Sequence, residues 1–260
     1  MAGLTQDSAS QPAWLQTPLG TALLAAEHAQ LAHALEGIFG EHLLQIGRWG
    51  DAGGLVKLAR TQHATTVYQQ GQGGEVSADF SRLPFESNSV DAVILPHTLD
   101  LAPHPHDVLR ESHRVLRAEG RLVIMGFKPF GVWGARRLWS RGRFPPTVNQ
   151  ALGDRVLRDW LRLLDMRLHE HQRFFFRWPI NRFGKPPSRS WEQLGQRWWP
   201  ELAACYLLHA RKRTVAMTPI RPSWRRRVRA VGGLPEPSLR KVTKISEYRG
   251  RREDIPPAAR

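Results

Sequence analysis

The residues best suited to chemistry cluster at a few turns. The stretch from His42 to Leu55 reads HLLQIGRWGDAGGL, an apolar run that breaks at Gly47 and is followed by Gly50, Gly53 and Gly54. Glycines there permit left-handed backbone and let a ligand approach the main chain without a Cβ clash, the requirement of a strand-to-helix loop that cradles a phosphate or nucleotide. This turn has no lysine for a phosphate, however, and carries the bulky pair Arg48-Trp49 where small residues are expected. It is either a cofactor loop or a tight turn. Further along, Asp79 precedes the aromatic Phe80 and begins Asp-Phe-Ser, which either caps a turn or offers a carboxylate to a ligand. Pro96 and His97 follow a second apolar run, so His97 is either a packed histidine or a general base working near neutral pH. His97, His104, His106 and His113 have no cysteine or close glutamate to complete a ligand set, and no metal site is predicted among them. Cys205, the only cysteine, lies in an apolar run and reads as an inert buried thiol.

Regular elements must hold these residues. From Thr17 onward Leu23, Leu24, Ala26, His28, Leu31, Leu35 and Phe39 recur at three- and four-residue steps, predicting an amphipathic helix that ends near Gly40. HLLQI, ATTVYQ and EVSADF read as strands, with DAGGLVKLAR a turn into a short helix. SVDAVILP and RLVIMGF are continuous apolar runs, the mark of strands buried on both faces. Between them Val108, Leu109, Ser112, Val115 and Leu116 share a helical face, with Pro105 at the start and Gly120 as the predicted stop. Beyond Phe127, VLRDWLRLLDM predicts a helix with Val156, Trp160, Leu163 and Leu164 inward, and RLHEHQRFFFRWP and ACYLLHARKR predict two last strands. This alternation predicts a doubly wound, mostly parallel sheet with its ligand edge at the strand carboxyl ends.

The expected organisation is a frayed segment over 1–16, one α/β domain over 17–217, and a flexible tail over 218–260. Within the domain, 130–200 includes a Trp- and Arg-rich insertion or lid. Trp133, Trp139, Trp198 and Trp199 either line a substrate lid or cover the sheet. A chain of 260 residues can bury one sizeable core. A single cysteine excludes an intrachain disulfide. With no basic-then-apolar leader and no apolar run near the roughly 18–20 residues that span a bilayer, a cytoplasmic location is expected. The net charge of +15 is concentrated at the end, where residues 211–260 carry 15 Lys/Arg against 4 Asp/Glu. Such a tail suits nucleic acid or another anionic partner, or serves only solubility.

Leu83 to Pro129, LPFESNSVDAVILPHTLDLAPHPHDVLRESHRVLRAEGRLVIMGFKP, resembles the central block of class I S-adenosylmethionine-dependent methyltransferases. It is most similar to the methyltransferase type 11 branch, related to quinone- and biotin-pathway enzymes, and to a bacterial subgroup with a degenerate first loop. The resemblance extends over about Leu43 to Arg213. It implies a Rossmann-like seven-stranded sheet and S-adenosyl-L-methionine as cofactor. It places Gln45 beneath the methionine ammonium, Gly47 and Gly50 against the cofactor, and Gln69 or Gln70 at the ribose hydroxyls. Asp79 and Phe80 fall at the adenine edge, and Pro96 and His97 on the floor between cofactor and acceptor. Two family carboxylates are therefore amides here. Each change keeps an acceptor but loses charge assistance, which weakens binding by about 1–3 kcal/mol.

The resemblance implies methyl transfer to a small or lipid-like acceptor at oxygen or carbon, with His97 as the base. Leu95-Pro96-His97-Thr98 stands where enzymes acting on nucleobase amines carry Asn/Asp-Pro-Pro-Tyr, which disfavours base methylation. The alternative is a methyltransferase-like binding protein without turnover, contacting RNA or another anionic partner through its basic C-terminal half. A nicotinamide-dependent oxidoreductase is disfavoured: the loop is Gly-Arg-Trp-Gly, and none of Tyr68, Tyr206 and Tyr248 has a lysine four residues on.

Overall fold

A computed structural model of the chain describes residues 12–50, 54–71, 74, 76–139, 148, 150–177, 194–195 and 197–213. All belong to the first of two units, Met1–Val215; the second, Ala216–Arg260, lies outside the described residues, as does the tail expected over 218–260. Seven strands, β1 (Phe39–Ile46), β2 (Arg60–Gln69), β3 (Val76–Ala78), β4 (Val90–Pro96), β5 (Leu116–Phe127), β6 (Met166–Phe174) and β7 (Cys205–Lys212), form one sheet. Their order is β3-β2-β1-β4-β5-β7-β6. Pairing is parallel from β3 to β5, and β7 is antiparallel to both β5 and β6. The doubly wound, mostly parallel sheet expected from the sequence is the fold observed.

Helices cover both faces. On one face lies α1 (Pro18–Leu35), whose Leu19, Leu23, Leu31 and Leu35 pack with Ile94, Val123, Met125 and Phe127. Pro18 opens this helix, and Thr17 Oγ1 accepts the Gly20 amide at 3.2 Å as its cap. On the other face α3 (Pro105–Val115) and α5 (Asp154–Leu163) bring Val108, Leu109, Leu157 and Leu161 against Val93, Leu95 and Ile124. Each fully buried aliphatic side chain contributes about 1.5–3 kcal/mol. Burial on both faces explains why β4 and β5 are uninterrupted apolar runs. Two shorter helices also lie among the described residues, α2 (Thr98–Leu101) after β4 and α4 (Val132–Trp139) after β5.

Several boundaries differ from those the sequence predicted. Helix α1 ends at Leu35, and Phe39, counted in its stripe, opens β1 opposite Arg60 and is 66% exposed. Ladder hydrogen bonds to β2 outweigh a periodicity that Phe39 fits by chance. Helix α3 ends at Val115, five residues before Gly120, because Leu116 already pairs with Val90. Gly120 lies in an irregularity of β5 next to Glu119, whose φ is 66°. In α5 the buried pair is Leu157 and Leu161; Val156 and Leu163 face solvent, while Trp160 and Leu164 pack at the margin. The pairing of Asp154 with Arg173 Nη2 at 2.7 Å fixes the helix start and sets that face. The N-terminal segment is ordered earlier than expected: Ala13–Gln16 forms a 3-10 turn with Leu15 fully buried. The short helix expected after Gly54 is one 3-10 turn, Val56–Leu58. Of the region expected as insertion or lid, α5 and β6 are parts of the domain core, while 140–147 and 178–193 lie outside the described residues.

Candidate active site at the carboxyl ends of β1 and β4

Winding reverses between β1 and β4, and in such sheets ligands bind beyond the strand carboxyl ends at this crevice. Gly47 leaves β1 there with φ +89° and donates its amide to Val67 O at 2.9 Å. A Cβ at Gly47 would lie 3.0 Å from Thr98 Oγ1, and that hydroxyl donates to Ile46 O, tying the two strand exits together. Gly50 has φ +67°, and a Cβ on it would lie 3.1 Å from Leu24 Cδ2. Both positions favour glycine for their left-handed conformation, and an added Cβ would press the neighbouring side chain aside. Gln45 is buried; its Nε2 donates to Gly47 O at 3.0 Å, while Oε1 has no hydrogen-bond partner among the described residues. Gly53 lies outside them.

The β2–β3 edge is more open. Gln69 ends β2 beside Ala78 and is half-buried, and Gln70, exposed, donates its amide to Ala78 O at 3.1 Å. Asp79 is exposed, and its Oδ1 accepts the Ser81 amide at 2.9 Å and the Ser81 hydroxyl at 2.7 Å. These bonds hold its pKa below the usual carboxylate value. The turn-capping interaction is thus present, and it leaves Oδ2 outside the turn. Phe80 is half-buried against the α3 side of the core.

Pro96 and His97 are buried at the end of β4. His97 has φ 54° and no exposed surface. Its Nε2 lies 2.8 Å from Glu27 Oε1 and its Nδ1 3.2 Å from Asp100 Oδ2. Burial by itself would lower the pKa of this ring, but the charge of Glu27 and the hydrogen bonds to Asp100 and Glu27 outweigh it and raise the value to about 9. An imidazolium with both N–H groups engaged has no lone pair to accept a proton, so the geometry gives His97 a positioning role rather than that of the expected base. Asp100 also accepts the Phe127 amide at 2.9 Å and the Leu152 amide at 3.3 Å. Glu27 Oε2 accepts Trp49 Nε1–H at 2.6 Å, and the Trp49 ring, buried, stacks obliquely 4.3 Å from His97. The Phe127 ring centroid lies 4.0 Å from that of the imidazole and 5.9 Å from that of Trp49.

Glu27 and Asp100 were not singled out in the sequence, and Trp49 only as bulk in the first loop. A signal for Glu27 existed: Leu19, Leu23, Glu27, Leu31 and Leu35 recur every four residues, with one acid on an otherwise leucine stripe. The remaining histidines do not gather at His97. His104 precedes α3 as its N-cap residue, His106 packs edge-on against Trp160, and His113 lies beside Lys212. Trp133 is buried with its Nε1–H on Arg177 O at 2.9 Å, whereas Trp198 and Trp199 are exposed and the Trp139 side chain is outside the described residues. Cys205 is buried at the start of β7.

The residues at the crevice fit S-adenosyl-L-methionine. The buried Gln45 Oε1, without a hydrogen-bond partner among the described residues, suits an ammonium donor, and the left-handed glycines admit a close backbone approach. A family profile for a methyltransferase domain matches residues 53–124. The chain is 33% identical over 206 residues to the uncharacterised protein YafS of Escherichia coli K12, covering 79% of this chain and 82% of YafS. A S-adenosylmethionine-dependent methyltransferase from Archaeoglobus fulgidus superposes with a TM-score of 0.52 at 17% identity, covering 74% of this chain and 95% of that one. Geranyl diphosphate methyltransferase in complex with S-adenosylmethionine gives 0.51 at 16%, covering 72% and 84%. With the sheet order, the glycine turn and these likenesses in agreement, the chain belongs to the class I S-adenosylmethionine-dependent methyltransferases.

Proposed function

We propose that the chain binds S-adenosyl-L-methionine at the β1–β4 crevice and transfers its methyl group to oxygen or carbon of a small or lipid-like acceptor. The observation that carries this reading is Gln45 Oε1, a buried acceptor without a partner among the described residues at the end of β1, beside two glycines in left-handed conformation. Leaving such a group unsatisfied costs about 1–3 kcal/mol, which a bound ammonium recovers. Gln45, Gly47 and Gly50 bind the methionine portion, Gln69 or Gln70 the ribose, and Asp79 with Phe80 the adenine edge. The cofactor supplies an electrophilic methyl group, and the protein supplies alignment and exclusion of water. Pro96 and the enclosed His97 shape the floor. With both ring nitrogens of His97 engaged by Asp100 and Glu27, the acceptor loses its proton to water or to a group of its own. Calorimetry with S-adenosylmethionine tests the first step: saturable heat is expected, and no heat at millimolar cofactor sinks the enzymatic reading. Transfer of labelled methyl from the cofactor to a lipid or small-molecule extract tests the second.

Trp49 favours a second reading. It projects from the first loop into the core and anchors on Glu27, at a place where cofactor loops carry small residues. Together with the two amides this supports a non-catalytic domain that contacts RNA or another anionic partner through its basic C-terminal half. Binding of a polyanion without any cofactor heat would favour this reading.

A further inference from the structure

Glu27, His97 and Cys205 converge inside the core. A carboxylate oxygen, a ring nitrogen and the thiol sulfur lie within 4.8 Å of one another, and all three residues are buried. They come from three separate elements: α1, the turn after β4, and the first residue of β7. Thiolate, imidazole and carboxylate are together the donor set of zinc. We propose that this cluster binds a divalent transition-metal ion, zinc by its donor chemistry, with Glu27, His97 through Nε2, and Cys205 as ligands.

The neighbouring hydrogen bonds are those that would orient metal ligands. His97 Nδ1 faces Asp100 Oδ2 at 3.2 Å, the carboxylate–histidine pairing that fixes the tautomer of a metal-bound ring. Asp100 is itself fixed by the Phe127 amide at 2.9 Å. Trp49 Nε1 holds Glu27 Oε2 at 2.6 Å, which leaves Oε1, the oxygen 2.8 Å from His97 Nε2, to face the ion. The left-handed backbone of His97, with φ 54°, turns the ring toward this point. Metal–ligand bonds of about 2.0–2.3 Å place tetrahedral ligand atoms roughly 3.3–3.7 Å apart, so shifts of about 1 Å complete the geometry. Charge also balances. The ion brings two positive charges and displaces two protons to solvent, one from His97 Nε2 and one from the Cys205 thiol, leaving the net charge of the cluster unchanged. The site would pin α1 to the exit of β4 and to β7, and it stands whether or not the chain transfers methyl groups.

Cys205 makes the test specific, because it is the only cysteine in the chain. The full chain, freed of any affinity tag and expressed with zinc, is expected to carry about one zinc per molecule by elemental mass spectrometry. Stripped of metal and titrated with cobalt(II), it should show a thiolate-to-cobalt charge-transfer band that no other residue can supply. Cys205→Ser should abolish that band and hold metal at least about tenfold more weakly in a chelator competition. Glu27→Gln, which keeps an acceptor for Trp49, should retain the band with similarly weakened affinity, and circular dichroism checks that each variant folds. Folded wild-type protein without zinc and without the charge-transfer band overturns the proposal. So does a cobalt spectrum from nitrogen and oxygen ligands alone.

Discussion

The two sides of the β1–β4 crevice are built on opposite principles. On the β2–β3 side the polar residues are amides and an exposed aspartate, in turns that tolerate change: Gln69, Gln70 and Asp79 make few contacts beyond their neighbours. On the β4–β7 side Glu27, His97 and Asp100 are fully enclosed, and each is held by the others or by Trp49, Phe127 and Leu152. The first side can lose charge at little cost to folding. The second cannot lose a member without stranding a buried charge. In the proposed reading the first side meets the ribose and adenine of the cofactor, and the second gives the floor its rigidity.

The largest expected effect breaks the enclosed side. Asp100→Ala removes the acceptor of His97, Phe127 and Leu152 and should destabilise the domain by about 3–5 kcal/mol, lowering Tm by about 10 °C or more in thermal melts. If Asp100→Ala melts like wild type, the contrast between the two sides is wrong. The next tests burial on β7. Burial, with the charges of Arg121 and His169, lowers the His209 pKa to about 4. Because the unfolded chain takes up this proton near pH 6.5, stability should be full above that value and fall as the pH drops towards 4, by on the order of 3 kcal/mol. His209→Gln should flatten that part of a denaturation-against-pH profile.

Smaller effects belong to the loop. Gly50→Val forces a β-branched residue to φ +67° next to Leu24, at a cost of about 1–3 kcal/mol, and should abolish cofactor heat. Gln45→Glu restores the family acid. It should tighten S-adenosylmethionine binding by about 1–3 kcal/mol while lowering Tm without cofactor, a pair of opposite shifts measurable by calorimetry and melting. Asp79→Ala should weaken binding about tenfold and leave Tm nearly unchanged; equal losses in both would show that Asp79 only caps its turn.

The fold was legible in the sequence because its strands announce themselves. SVDAVILP and RLVIMGF have no polar face, and Pro105 with the Val108–Val115 stripe marks the helix between them. Boundaries were less legible, since Phe39 and Leu116 satisfy helical spacing yet make their hydrogen bonds in the sheet. At the site, Gly47 and Gly50 could be located from the turn alone, and their left-handed conformations agree with that reading. The partners of His97 could not. Glu27 lies 70 residues away, and its burial follows from the packing of α1 against the sheet.

Local residue type thus determined the class of the molecule: which segments are strands, where the chain turns left-handed, and that the loop acids are amides. Tertiary structure decided what the histidine at the end of β4 is. A ring that reads as a neutral base in isolation has its pKa raised and both nitrogens engaged once Glu27, 70 residues away, joins Asp100, three residues on, around it, because charge in a buried site is set by what packs around it rather than by the residue that carries it.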